Sequence, residues 1–392
     1  MQQIAVGQTG ICCIFMFSTR YFCIINYKSV TSYAKNLIMI KKHNYYTLLF
    51  FCIFLVVISI ADSFAAKPPD NEKKILFISS YTLDTKYTFD NINQFIETYN
   101  KAGGTYQVIV ENMNCMEFSP FEVWSKRFNE LMDKHPDTAL VILLGGEAWN
   151  CYLQQPEDLY KNTPVFCMMA SKYGINRRAP HEDISTYTPK PIDLLKQMQN
   201  RNVKFCMVYE YGVKENIQLI KKLYPDTRHI VFLSDNTYNG IAQQTNVREQ
   251  LKNEKIAVTY IDGRQVSLDE ASKIYAQLPP HTVMLLGTWR IDKENIAYMN
   301  NSTVTFSNIN PNIPVFSLTS SGIGYWAIGG NVPVYDNMGT AMGHKAYQIL
   351  HNNDTTVELK TVPQEYRFDA PALQKWNINT TVLPRGSVII NK

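Results

Sequence analysis

The chain has 392 residues, enough for more than one compact unit, and with 45% hydrophobic and 18% charged residues it is neither fibrous nor wholly disordered. Its net charge of +4 sits at the head: residues 1–65 hold five of the 38 basic residues and one of the 34 acidic ones, leaving 33 of each in the remainder. A neutral body has no electrostatic footprint for DNA or RNA, so no nucleic-acid partner is expected.

Lys41, Lys42 and His43 precede an apolar run over residues 45–61, then Ser63-Phe64-Ala65-Ala66 and polar Lys67-Pro68-Pro69-Asp70. This is the order of a secretory signal, with Ser63 and Ala65 flanking the small-residue motif of a cut before Ala66. The run is nearer signal-peptide length than a full ~20-residue span. Residues 39–65 therefore read as a signal peptide or an uncut membrane anchor. Either places the remainder in the periplasm or on the outer face of the inner membrane. Residues 1–38 add a second apolar stretch upstream. Translation is expected to start at Met39, the alternative being an extra membrane-associated segment. Outside the head, Cys115, Cys151, Cys167 and Cys206 form no C-x-x-C pair for zinc or redox chemistry. Cys167 and Cys206 lie in apolar runs and read as buried thiols. Export permits disulfides, but the spacing selects no pairing.

From Lys73 onward, short apolar runs alternate with amphipathic segments. The runs fall at 75–78, 106–110, 139–144, 165–169, 205–209, 230–233, 256–261, 283–286 and 315–318. Their continuous apolarity suits strands covered on both faces. Ser119-Pro120-Phe121-Glu122 and Ser267-Leu268-Asp269-Glu270 are capping boxes that open helices. A late helix over 333–350 carries Val334, Met338, Ala341, Lys345 and Ile349 on one stripe, with Lys345 snorkelling at its edge. The cadence predicts an α/β fold of two Rossmann-like lobes, with parallel sheets and hinge crossovers. The polar, proline-broken stretch 173–191 reads as the crossover between lobes. The expected domains are lobe one at 66–187, lobe two at 188–319, a return to lobe one at 320–351, and a C-terminal tail at 352–392.

Ligands of open parallel sheets bind beyond the carboxyl ends of the strands. That rule selects Ser79, Ser80 and Tyr81 after the first strand, and Gly145, Gly146 and Glu147 after the third. It selects Ala170 and Ser171 after the fourth, then Tyr209, Glu210, Asp235, Asn236, Trp289 and Arg290 in lobe two. Thr319, Ser320 and Tyr335 lie near the return crossing. Hydroxyls, amides and one arginine would hold polar ligand groups, with Trp289 and Tyr335 as a stacking wall. Glu147 and Asp235 could act as an acid–base pair, although hydrogen bonding to ligand is the simpler role. No G-x-S-x-G elbow, H-E-x-x-H or P-loop is present, and Gly322, Gly324, Gly329 and Gly330 lack dinucleotide-loop spacing. No catalytic residue, cofactor or metal is expected.

Four stretches carry a family resemblance: residues 74–81, residues 143–149, Leu285-Leu286-Gly287-Thr288-Trp289-Arg290, and residues 334–350. In order and character they resemble the type I periplasmic binding fold, and more narrowly the ABC-transporter substrate-binding-like family. That family also occurs as the extracellular sensor region of hybrid histidine kinases, and residues 383–391 are similar to the stretch preceding their second membrane span. The resemblance implies a small-molecule ligand closed between the lobes, with hinges near 186–191 and 319–324. It also implies a membrane partner, kinase or permease, that reads closure. The favoured implication is the sensor domain of a truncated two-component histidine kinase. A stand-alone solute-binding protein of an ABC importer is the alternative, and an exported α/β enzyme the second. A homodimer is compatible with either.

Overall fold

The computed structural model describes residues 11–13, 24–26, 73–82, 85–115, 121–176, 181–299 and 302–392. The signal or anchor at 39–65 and the first capping-box residues, Ser119 and Pro120, lie outside the described residues. A first unit, Met1–Asp70, contains strands β1 (Ile11–Cys13) and β2 (Ile24–Asn26), paired antiparallel. The second unit, Asn71–Lys392, carries the rest.

Its first half runs β3 (Lys74–Ser79), α1 (Lys86–Lys101), β4 (Gln107–Asn112), α2 (Phe121–Lys134), β5 (Thr138–Leu144), α3 (Gly146–Leu153), β6 (Val165–Ser171), β7 (Tyr173–Ile175), β8 (Pro191–Asp193) and β9 (Val203–Tyr209). Next come α4 (Val213–Leu223), β10 (His229–Ser234), α5 (Tyr238–Leu251), β11 (Ala257–Asp262), α6 (Leu268–Ala276), β12 (Thr282–Leu286), α7 (Val304–Ile309) and β13 (Val315–Ser317). The chain finishes with β14 (Gly329–Pro333), α8 (Met338–His351), β15 (Glu358–Thr361), β16 (Gln364–Asp369), α9 (Ala370–Lys375) and β17 (Val388–Ile390).

Two sheets result. The first is all-parallel, ordered β15-β9-β6-β5-β3-β4. The second is ordered β11-β10-β12-β13-β14-β16-β17, parallel except where β16 runs against β14. Central strands are buried throughout, as at Ile75–Ile78 and Ile230–Leu233, because helices cover both faces. The Ser267 capping box forms as the sequence predicts: its hydroxyl accepts from Glu270 N, while the Glu270 side chain accepts from Ser267 N.

The domain boundaries differ from the sequence expectation in three ways. Residues 205–209 belong to β9 of the first sheet, not to lobe two. The stretch 173–191 is accordingly an excursion that leaves and rejoins lobe one, closed at its base by the antiparallel β7–β8 pair. The crossings lie instead between β9 and α4, between β14 and α8, and between β15 and β16. Residues 352–392 are not a tail: β15 extends the first sheet, and β16 and β17 extend the second. Lys345 is also not at an edge. It is 2% exposed, and its Nζ donates to Asp354 Oδ2 (2.8 Å), Thr356 Oγ1 (2.5 Å) and Glu358 Oε1 (2.9 Å). A buried ammonium needs such partners, and they tie α8 to β15. Cys115, Cys151, Cys167 and Cys206 are buried and outside any disulfide.

Helix α8 returns to lobe one by packing on α1. Its glycines at i and i+4, Gly339 and Gly343, face α1: an added Cβ would lie 1.9 Å from Asn91 O and 2.8 Å from Phe95 O. The Asn91 amide completes the joint, donating to Tyr335 O and accepting from Gly339 N, each at 2.9 Å. Gly339→Leu is therefore expected to lower unfolding free energy by about 2–3 kcal/mol, read by urea titration, with His344→Leu, exposed on the same helix, as the tolerated control.

Candidate functional site

In each sheet the strand order reverses beside the first strand of its lobe: β3 lies between β4 and β5, and β10 between β11 and β12. Loops diverge at such switch points and leave a crevice at the strand carboxyl ends. The two crevices meet in a cleft of about 410 Å³.

Lobe one contributes Tyr81, the first turn of α1 from Thr85 to Thr88, Met169, Tyr209, Tyr211 and Tyr335. Lobe two contributes Thr237, Asn239 and Gln243 from the start of α5, then Thr288, Arg290 and the 319–323 loop. Tyr209 packs edge-on against Tyr211 and Tyr335, each at 5.3 Å between ring centroids, and Tyr87 lies 5.3 Å from Tyr335. Gln243 Nε2 donates to Tyr211 OH at 2.9 Å. The Arg290 guanidinium sits 5.9 Å from the Tyr81 ring centroid.

Of the seventeen sequence-selected residues, Tyr81, Tyr209, Arg290, Thr319, Ser320 and Tyr335 line the cleft. The others support it from behind or point away, for reasons of side-chain alternation and loop geometry. Thr288 and Arg290 face the cleft, so the intervening Trp289 turns into the lobe-two core and is 3% exposed. Likewise Glu210, between Tyr209 and Tyr211, turns out to pair with Lys172 at 2.7 Å. At the end of β6 the pairing register shifts between Met168 and Ala170, and Met169 adopts φ 54°. This bulge aims Met169 at the cleft and leaves Ala170 and Ser171 buried.

The remaining residues shape loops. Ser79 Oγ donates to Tyr81 O at 2.8 Å. Ser80 Oγ accepts from Ala148 N at 3.0 Å, at the start of α3. Gly145 has φ 97°, and an added Cβ would lie 2.6 Å from Ser80 Oγ, so both backbone and space call for glycine. Gly146 meets lobe two, since a Cβ there would lie 2.9 Å from Asn239 Oδ1. Asp235 accepts from Thr237 N and Oγ1 and from Arg290 N (2.8 Å), which fixes the loop that presents Arg290. Asn236 is buried, its N–H donating to Ile291 O. The residues not selected from sequence include Asn239 and Gln243 on α5, Tyr211 just past β9, Met169 within β6 and the first turn of α1. A helix that begins at the cleft, signalled by Asp235-Asn236-Thr237, was the available cue.

Glu147 is 1% exposed and accepts a 2.5 Å hydrogen bond from Tyr81 OH. Asn239 Nδ2 in turn donates to Tyr81 OH at 2.5 Å. Burial raises the Glu147 carboxyl to about 7, against the lowering effects of the Tyr81 and Ser80 bonds and of Arg290. Burial also raises Asp235. Glu147 and Asp235 do not touch: one hydrogen-bonds in lobe one, the other in lobe two, so no acid–base pair forms between them. Among the described residues, no group of three or more His, Cys, Asp or Glu side chains could hold a metal ion.

No family model and no curated protein sequence matches the chain. Solved structures do. A conserved domain protein from Vibrio cholerae superposes with TM-score 0.57 at 13% identity, over 81% of this chain and 99% of that one. A substrate-binding protein with adhesive properties from Clostridium difficile, in its ligand-free open form, gives 0.52 at 16% identity, over 81% and 99%. An ABC domain in complex with L-Trp from Streptococcus pneumoniae gives 0.53 at 12% identity, over 81% and 100%. The fold is therefore of the type I periplasmic-binding kind.

A carboxyl raised on folding binds more protons in the native state, so its stabilisation is complete below the ordinary value near 4.5 and is lost as pH rises to about 7. Wild type is thus expected to lose up to about 3 kcal/mol relative to Glu147→Gln between pH 4.5 and 7. Denaturant titrations of both proteins across that range measure the difference.

Proposed function

We propose that this is an exported ligand-binding domain that closes its two lobes on a small polar ligand bearing an anionic group and a flat body. The cleft's lining carries the reading. Arg290 borders it, no carboxylate lines it, and tyrosines form much of its wall; the other bordering cation, Lys86, is already paired with Asp90. A cleft lined by a cation and by no carboxylate favours an anionic group, and tyrosine faces and hydroxyls suit a planar polar body. The substrate-binding neighbours, one of them holding L-Trp, support binding over turnover.

Closure would be read by a membrane partner. The sensor reading follows from the sequence resemblance to histidine-kinase ectodomains. The solute-binding reading draws support from the Clostridium difficile neighbour, whose description is that of a substrate-binding protein. Export rests on the pattern at 41–66.

L-Tryptophan is the first probe, followed by anionic and neutral aromatic metabolites, sugars and nucleobases, by isothermal calorimetry. Arg290→Ala is expected to weaken an anionic ligand by about ten- to a hundredfold, the range of a charge-assisted hydrogen bond, while leaving the melting temperature near wild type. Heat from neutral probes alone, unchanged by Arg290→Ala, would reject the anionic class. No heat from any class would reject the binding reading.

A further inference from the structure

Strands β6 and β9 are neighbours in the first sheet, and their parallel register sets Cys167 directly opposite Cys206. The pair before it, Phe166 and Phe205, touches on the other face of the sheet, with ring centroids 5.6 Å apart. The register is thus visible in side-chain contact as well as in backbone pairing. Cys167 and Cys206 stand as separate thiols, fully buried in the core that also holds Leu143 and Trp149. Neighbouring strands lie about 4.8 Å apart, inside the roughly 4.4–6.8 Å between Cα atoms that a disulfide spans. Of the other two cysteines of this unit, Cys151 lies on α3 and Cys115 beyond β4, so neither faces a cysteine across a sheet.

We propose that Cys167 and Cys206 are a modification site: they close a cross-strand disulfide as the chain folds in an oxidising compartment. This rests on the export proposed above. Sequence spacing selects no pairing, whereas the strand register selects one.

Burial sets the timing. In the finished fold both thiols are out of solvent, and burial, followed by the adjacent Cys206 thiol, pushes the Cys167 thiol well up. A buried, protonated thiol is a poor nucleophile, so the reaction belongs to folding, before the two side chains are covered. One cysteine thiolate attacks a disulfide-bearing oxidant, an oxidoreductase or oxidised glutathione, and one oxidant sulfur leaves as a thiol. The other cysteine thiolate then displaces the second oxidant sulfur from the mixed disulfide. Two cysteine thiols are oxidised, the oxidant disulfide is reduced to two thiols, and the two cysteine protons end on those thiols. The bond pins β6 and β9 just before Met169 and Tyr209, the residues through which these strands reach the cleft.

The test uses the full chain and needs neither ligand nor export. Reduced, unfolded chain is refolded with reduced and oxidised glutathione, alkylated in denaturant, digested without reductant and mapped by mass spectrometry. A peptide pair joined through Cys167 and Cys206 is expected. Cys115→Ala and Cys151→Ala are each expected to keep that bond, and Cys206→Ala to leave Cys167 alkylated. Adding the oxidant only after refolding is expected to slow bond formation by about tenfold or more. Alkylation of both Cys167 and Cys206 in the wild type, or a bond from either to another cysteine, overturns the proposal. So does a bond that forms as fast after refolding as during it. If the bond forms on refolding but both thiols are free in chain recovered from the cell, the export premise fails and the pairing stands.

Discussion

Tyr238 opens a helix of the second lobe, yet it is buried in the core of the first. Its ring meets Trp124 edge-on at 6.0 Å, and its hydroxyl accepts from Ile175 N at 3.4 Å. Ile241 and Ala242, on the same helix, join the same core, alongside Leu76, Ile78 and Trp149. Burial of side chains of this size is worth about 1.5–3 kcal/mol each, which is large against the marginal stability of a domain. The lobes are thus held by an apolar contact outside the cleft, on the helix that supplies Thr237, Asn239 and Gln243 to it. Where that helix sits decides where half of the cleft wall sits.

The β7–β8 pair also packs on this helix, and residues 185–187 reach the loop after β11. Arg264 is buried, pairs with Asp262 and donates to Tyr187 O at 2.6 Å, while Gln265 Nε2 donates to Ser185 O at 3.1 Å. A second cavity of about 410 Å³ lies here, lined by Thr188, Arg248 and Arg264 among others. The Arg264 and Asp262 groups in it are already engaged with each other. Lobe two therefore touches lobe one through covalent crossings, an apolar seat for α5, polar contacts from a loop and the Asn239–Tyr81 hydrogen bond. The cleft between them gathers several aromatic faces and a cationic group in one open space.

Much of this was legible in the sequence because parallel strands buried on both faces leave unbroken apolar runs. The runs at 75–78, 139–144 and 230–233 are all strands, and the segments after the first and third reach the cleft at Tyr81 and Thr237, whereas the one after 139–144 does not line it. What was not legible has particular causes. Side chains alternate as the chain leaves a strand, and one-dimensional reading does not fix the phase, so Trp289 was favoured over Thr288. Met169 reaches the cleft through a bulge that carries no Gly or Pro mark. Helix α5 shows no apolar stripe because it is buried on most sides, among both apolar and polar neighbours. Strand β15, Glu-Leu-Lys-Thr, is an edge strand with mostly exposed side chains. Its charged residues look like a loop, and the tail assignment followed from that.

The position of β15 governs the order in which the chain can be assembled. Residues 358–361 complete the first sheet by pairing with 205–208, about 150 positions earlier. Until they arrive, β9 is an unprotected parallel edge, open to mispairing with any extended segment. Contacts so distant along the chain are slow to form. During synthesis the first lobe must therefore wait, with one flank bare, for the second lobe as far as β14 to emerge before its last strand can be laid down.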